Sequence, residues 1–153
     1  MLEAFLPHEE ATLELGRQLA GDLRPGDLVL LVGPLGAGKT TFVRGLVQGL
    51  GGDPAEVCSP SFILRESYRV GGRNGIGTVH HLDLYRLRGN PKAAWEELGL
   101  VELLEDPDAV TLVEWGEDLL SEKLQPRIFR VELSWAGDGR RVRLWKGTGS
   151  PTS

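Results

Sequence analysis

The sequence predicts an α/β fold, a mixed sheet with a parallel core, antiparallel additions and flanking helices. Three observations predict it. Two short apolar runs, Leu28-Val29-Leu30-Leu31-Val32 and Ala109-Val110-Thr111-Leu112-Val113, have the composition of strands buried on both faces. A glycine-rich loop joins the first run to a segment with helical spacing. Near the C-terminus, two segments alternate apolar and polar residues around Gly137-Asp138-Gly139, as an antiparallel hairpin does.

The elements follow in order. Residues 1–7 lack a basic stretch followed by an apolar one, so no secretory leader is expected. Ala11, Leu15, Leu19 and Leu23 recur about every four positions, which predicts an amphipathic helix over residues 9–23. Arg24-Pro25-Gly26-Asp27 reads as a turn into the first buried strand. Phe42, Val43, Leu46 and Leu50 give residues 40–50 a helical face, and Gly51-Gly52 stops that helix. Residues 62–70 read as a strand, 71–77 as the loop of a hairpin, and 78–82 as the returning strand that ends at Asp83. Residues 92–104 read as one broken helix or two short ones, interrupted near Gly99. The second buried strand then delivers Glu114 at its C-terminal end, and residues 128–135 and 141–145 form the last hairpin. No internal repeat appears, so a single domain over residues 1–146 is expected, with a flexible polar tail over 147–153.

Composition excludes several function classes. A net charge of −5 and a pI near 5.2 argue against a protein that grips nucleic acid by itself. Arg140, Arg141 and Arg143 are expected on the solvent side of a terminal strand. No apolar run approaches the roughly 20 residues that span a bilayer, so no membrane partner is expected. Cys58 is the only cysteine, which rules out an internal disulfide and is compatible with a reducing cytoplasm. His80 and His81 stand without a further Cys or His cluster downstream, so zinc is not expected.

The loop carries the sharpest chemistry. Gly33-Pro34-Leu35-Gly36-Ala37-Gly38-Lys39-Thr40 matches G-x-x-x-x-G-K-[ST] at every fixed position. Gly36 and Gly38 let the backbone approach phosphate oxygens closely, and successive N–H groups there and at the helix start make an anion nest. Lys39 offers a cation to the β- and γ-phosphates, the Thr40 hydroxyl is a hard ligand suited to Mg²⁺, and Thr41 can donate to the α-phosphate. The nucleotide-binding set is therefore Gly33, Gly36, Ala37, Gly38, Lys39, Thr40 and Thr41, with ATP and magnesium as the expected ligands. A strand before the loop and a helix after it make the fold one of the P-loop NTPase type. Hydrolysis also needs an acid near the metal and a group that orients water. Glu114 and Asp83, each at a strand's C-terminal end, are the candidates.

These residues carry a resemblance. G-P-L-G-A-G-K-T-T-F, then S-P-S-F, H-L-D-L-Y-R and L-V-E-W-G resemble the TsaE (YjeE) family of small bacterial P-loop ATPases, in order and spacing, from about residue 7 to residue 145. The resemblance implies weak ATP hydrolysis and a role, with TsaB and TsaD, in forming N6-threonylcarbamoyladenosine next to the anticodon of certain tRNAs, so tRNA is an indirect partner. It implies that Thr40 and Glu114 hold magnesium, and that Lys39, Asp83 and Glu114 are the catalytic residues. Ser59-Pro60-Ser61 would be a mobile loop near the γ-phosphate. Glu9 to Thr12 would border the adenine, and Arg140 would reach the nucleotide from the terminal hairpin. Ser61 stands where the family commonly has threonine, and Gly116 where proline or serine commonly follows the E-W pair.

Two rival readings remain open to test. A small-molecule kinase would need an acceptor pocket and a cationic lid, and no mid-chain helix reads as arginine-rich. A GTP-dependent switch would need a guanine-specifying N-K-x-D, which does not occur; Asn90-Pro91-Lys92-Ala93 lacks both the adjacent lysine and the carboxylate.

Overall fold

The computed structural model describes residues 1–34, 36–58, 65–87, 90, 92–93, 96, 99–116 and 126–148. The strands are β1 (Leu2–Leu6), β2 (Leu28–Val32), β3 (Arg65–Arg69), β4 (Thr78–Asp83), β5 (Ala109–Glu114), β6 (Arg127–Ala136) and β7 (Gly139–Thr148). The helices are α1 (Glu9–Ala20), α2 (Lys39–Gly49) and the short α3 (Leu100–Glu105). The strands form one sheet in the order β1-β7-β6-β2-β5-β4-β3. The inner four, β6, β2, β5 and β4, are mutually parallel, and antiparallel strands close both edges. The parallel core with antiparallel additions is the predicted architecture.

Alternation along the strands sorts side chains to two faces. On one face Val29, Leu31, Val110, Leu112, Phe129 and Val131 pack under α1 and α2. On the other, Leu28, Leu30, Leu82, Val113 and Ile128 pack with Leu100 and Leu103 of α3. The two long helices touch closely because glycines sit at their contact. A Cβ on Gly45 would lie 2.1 Å from the Leu13 carbonyl oxygen, and one on Gly16 would lie 2.3 Å from that of Phe42. Any side chain at Gly45 therefore pushes the helices apart, at an overpacking cost of about 1–3 kcal/mol.

The structure revises several sequence expectations. Residues 2–6, for which no element was expected, form a strand because β7 offers them a partner in register from Leu2↔Leu144 to Leu6↔Arg140. Helix α1 ends at Ala20 rather than at residue 23. Asn74, at φ 57°, holds its Nδ2 3.2 Å from the carbonyls of both Gly21 and Leu23 and so satisfies the chain beyond the helix end. The last hairpin forms, but β6 also joins the sheet parallel to β2, from Leu28↔Ile128 to Val32↔Glu132. Strand β7 continues through Gly147 to Thr148, two residues into the expected tail. The interruption expected near Gly99 is where the structure has it, since Gly99 is in the left-handed region at φ 60° and caps α3 at its N-terminus. No helix among the described residues is long and apolar enough to cross a membrane.

Candidate functional site

The site assembles where parallel strands end. The loop leaves β2, crosses the sheet edge and enters α2 at Lys39. It turns through Gly33, Gly36 and Gly38, all at positive φ (154°, 79° and 100°). Gly33 is also pinned by contact, since a Cβ there would meet the Leu133 carbonyl oxygen at 2.3 Å. Ala37, fully buried, closes the turn by donating its N–H to the Pro34 carbonyl at 3.2 Å. Gly38 serves as the cap of α2 with no side chain to occupy the first-turn amides, which leaves them directed at the loop.

Lys39 is only 7% exposed. Its Nζ donates to the Gly33 carbonyl at 2.7 Å, lies 3.6 Å from Glu114 Oε1, and sits 5.2 Å from the centroid of the Trp115 ring. Glu114 ends β5 and Asp83 ends β4, and the two are register partners, so both buried carboxylates point to the same face beside the loop. Asp83 Oδ1 accepts the Tyr85 N–H at 2.9 Å. Glu114 Oε2 accepts from His81 Nε2 at 2.7 Å. Burial pushes the Glu114 carboxyl upward, but the His81 hydrogen bond and charge, followed by Lys39, outweigh it and hold the group below its ordinary value. Trp115, next in the chain, adopts φ 61°, a rare conformation for a bulky residue, and meets Tyr85 edge-on at 5.1 Å. The half-buried Thr40 makes no hydrogen bond to the described residues through its hydroxyl.

A second group of predicted residues lies on the outer side of the loop. Glu9, Thr12, Gly36, Gly38, Thr41 and Arg140 line a cavity of about 270 Å³. Thr41 Oγ1 lies 3.4 Å from Glu9 Oε1. The Arg140 guanidinium stacks 3.4 Å from the centroid of the Trp135 ring and donates to the Gly36 carbonyl at 3.3 Å, while its Nε is buried without a partner. Strand alternation separates the three hairpin arginines. Arg141 and Arg143 are on the exposed face, with Arg143 2.8 Å from Glu3, whereas Arg140 turns to the cavity. Ser59-Pro60-Ser61 lies outside the described residues. Sequence reasoning missed His81 and Tyr68 as neighbours of Glu114. The signal was present in the pairing of β4 with β5, whose register no local pattern reveals.

Fold and loop together define a small α/β protein built around a G-x-x-x-x-G-K-T turn between a buried parallel strand and a helix, with carboxylates at two further strand ends. The profile of the family described as "Threonylcarbamoyl adenosine biosynthesis protein TsaE" matches residues 6–142. The chain belongs to the TsaE family. It is 46% identical over 136 residues to the tRNA threonylcarbamoyladenosine biosynthesis protein TsaE of Streptomyces coelicolor, covering 86% of this chain and 87% of that one. To the protein of the same name from Mycobacterium tuberculosis it is 41% identical over 145 residues, covering 93% and 84%. The crystal structure of Bacillus subtilis YdiB superposes with a TM-score of 0.66 at 27% identity, covering 97% of this chain and 85% of that one.

Proposed function

We propose that this chain binds ATP with magnesium, hydrolyses it slowly, and acts with TsaB and TsaD in threonylcarbamoyl transfer to the tRNA adenosine next to the anticodon. The observation that carries the reading is Lys39. Its ammonium is buried, with a carbonyl at 2.7 Å and a carboxylate at 3.6 Å as its partners. A buried cation held beside loop amides is ready for an anion that brings more charge than one carboxylate. Family membership supplies the pathway.

The donors fit magnesium, since a threonine hydroxyl and carboxylates at adjacent strand ends are hard oxygens. Thr40 and Glu114 would hold the ion, and Lys39 would turn from Glu114 to the β- and γ-phosphates. Magnesium, when bound, supplies positive charge against the phosphate oxygens. The loop amides bind the phosphates, and Asp83, held by the Tyr85 N–H, orients the attacking water. Glu9, Thr41 and Arg140 place the rest of the nucleotide along their cavity. Among the described residues no arginine pairs with Asp83 or Glu114. An arginine finger is worth about 10³–10⁵ in rate, so slow turnover follows for the chain alone.

The test is ATP hydrolysis by the purified chain, alone and with TsaB, TsaD and tRNA, with threonylcarbamoyladenosine scored in parallel. Partners should change turnover, product should require hydrolysable ATP, and Lys39→Ala should abolish both. If Lys39→Ala hydrolyses ATP like the parent, the site assignment is wrong. If partners change nothing while a metabolite raises ATP consumption and becomes phosphorylated, the chain is a small-molecule kinase.

A further inference from the structure

Behind Glu114 lies a buried chain of hydrogen bonds that the reaction scheme above does not use. His81 is fully buried and Tyr68 is 3% exposed. His81 Nε2 meets Glu114 Oε2 at 2.7 Å, and His81 Nδ1 meets the Tyr68 hydroxyl at 3.1 Å. That hydroxyl has a single proton to share between Nδ1 and the Cys58 carbonyl at 3.0 Å, and it accepts from the Cys58 N–H at 3.4 Å. An ionised carboxylate only accepts, so the proton on this contact belongs to Nε2. The Glu114 carboxyl would otherwise rotate about its last torsion, a broad and soft one. With Oε2 held by the ring, Oε1 alone faces Lys39.

We infer that His81 is the positioning residue of Glu114: its Nε2–H fixes Oε2 so that one oxygen is presented to the loop, and Tyr68 locks the ring by spanning Nδ1 and the Cys58 peptide. The inference rests on the magnesium-binding reading of Glu114 for its consequence in turnover, but not for the hydrogen bond itself. A ligand whose outer oxygen is fixed needs no reorientation when the loop fills, and such partners typically account for about 10–100-fold in metal affinity or activity. The same arrangement ties the glutamate to the main chain at Cys58, fifty-six residues earlier in sequence.

Two amide substitutions separate positioning from packing. Glutamine at position 81 places its N–H₂ where Nε2 lies and keeps the donor to Glu114; asparagine places its amide at Nδ1 and loses it. His81→Gln should retain kcat for magnesium-dependent ATP hydrolysis within about threefold, and His81→Asn should lose about 10–100-fold, with KM for ATP little changed in either. Tyr68→Phe should lose about two- to tenfold, the share of one neutral hydrogen bond. A second readout needs no nucleotide and no metal. Proton NMR of the free full-length chain should show a solvent-protected imidazole N–H that survives His80→Gln, vanishes in His81→Gln, and is lost in Glu114→Ala. Absence of that resonance, its persistence unchanged in Glu114→Ala, or equal losses in the folded Gln and Asn variants would overturn the inference. If the parent shows no magnesium-dependent hydrolysis, the nucleotide reading falls, and the resonance still decides whether His81 holds Glu114.

Discussion

His80 and His81 are neighbours in β4, and each ring lies between a hydroxyl and a carboxylate. His80 meets Ser67 Oγ at 2.8 Å and Asp106 Oδ2 at 3.1 Å. His81 meets Tyr68 at 3.1 Å and Glu114 at 2.7 Å. The alternation of the strand turns them to opposite faces. His81 falls under α1 and α2, where the loop and two strand ends converge, and the Glu114 side chain is 6% exposed. His80 falls toward the other face, with an exposed Ser67 as its cross-strand partner and an Asp106 side chain that is 33% exposed. A hydroxyl–imidazole–carboxylate line therefore does not by itself mark a site. Burial and convergence with other chemistry do, because water screens and replaces the same contacts at the rim.

The sharpest way to break this comparison is to delete each carboxylate. On the proposed assignment, Glu114→Ala should lower magnesium-dependent ATP hydrolysis by at least about 100-fold, because the proposed ligand and its charge are lost together. Asp106→Ala should leave turnover at the parent's level. Equal losses would mean that both histidine lines serve the reaction and that burial was the wrong criterion.

The next largest contrast is in stability. His81→Ala leaves a cavity and strands a buried hydroxyl and a buried carboxylate, so a loss of about 3 kcal/mol is expected in urea unfolding. His80 is also buried, at 6% exposure, so His80→Ala leaves a cavity too. Its partners Ser67 and Asp106 are open to water, however, and the cost should be smaller, about 1–2 kcal/mol. A His80→Ala penalty as large as that of His81→Ala would show the rim contact to be as desolvated as the inner one.

How much of this was legible in sequence depends on the range of each determinant. The loop, the run Leu28–Val32 before it and the glycine stops are local patterns, and they predicted β2, α2 and the end of α2. Lys39, Asp83 and Glu114 were legible for the same reason, since each stands at a motif position or a strand end. Strand β1 was not, because Leu2–Leu6 is a strand only by virtue of pairing with β7, about 140 residues away. The parallel docking of β6 on β2 was hidden behind its hairpin with β7, which has the stronger local signal. The His81–Glu114 contact depends on the register Asp83↔Glu114 between two strands, and a one-residue slip would have turned Glu114 to the other face.

Both regions lose stability at the acid end of the pH scale, through Asp106 in the outer line and Glu114 in the inner one. Only the inner line adds an alkaline limb, through Tyr68. Asp106 is held below its ordinary value of 3.8, first by the Asp108 N–H and then by His80. A depressed carboxyl adds stability above its unfolded value, and that stability is lost as pH falls through the folded value. Tyr68 is pushed up to about 12, chiefly by burial. A raised group adds stability below its unfolded value of 10.0, lost as pH rises toward 12. Asp106→Asn should therefore flatten part of the acid limb of stability against pH and spare the alkaline one, and Tyr68→Phe should flatten the alkaline limb and spare the acid one. If Tyr68→Phe leaves the alkaline limb unchanged, its hydroxyl is wetter than the packing around it implies.

The smallest effect expected is at Ser67, and it tests the rim most directly. Serine, histidine and aspartate in one line invite comparison with a nucleophilic triad. Here the serine is the register partner of the histidine across an antiparallel pair at the sheet edge, and it is open to solvent. Opposed side chains in such a pair bond as a matter of sheet geometry, typically for a few tenths of a kcal/mol to about 1 kcal/mol. Ser67→Ala should cost about 0.5 kcal/mol or less, because water takes the place of the hydroxyl on His80 Nδ1. ATP hydrolysis should be unaffected. A larger penalty, or a change in turnover, would mean that the outer histidine communicates with the inner one through β4, and the division between the two faces would have to be redrawn.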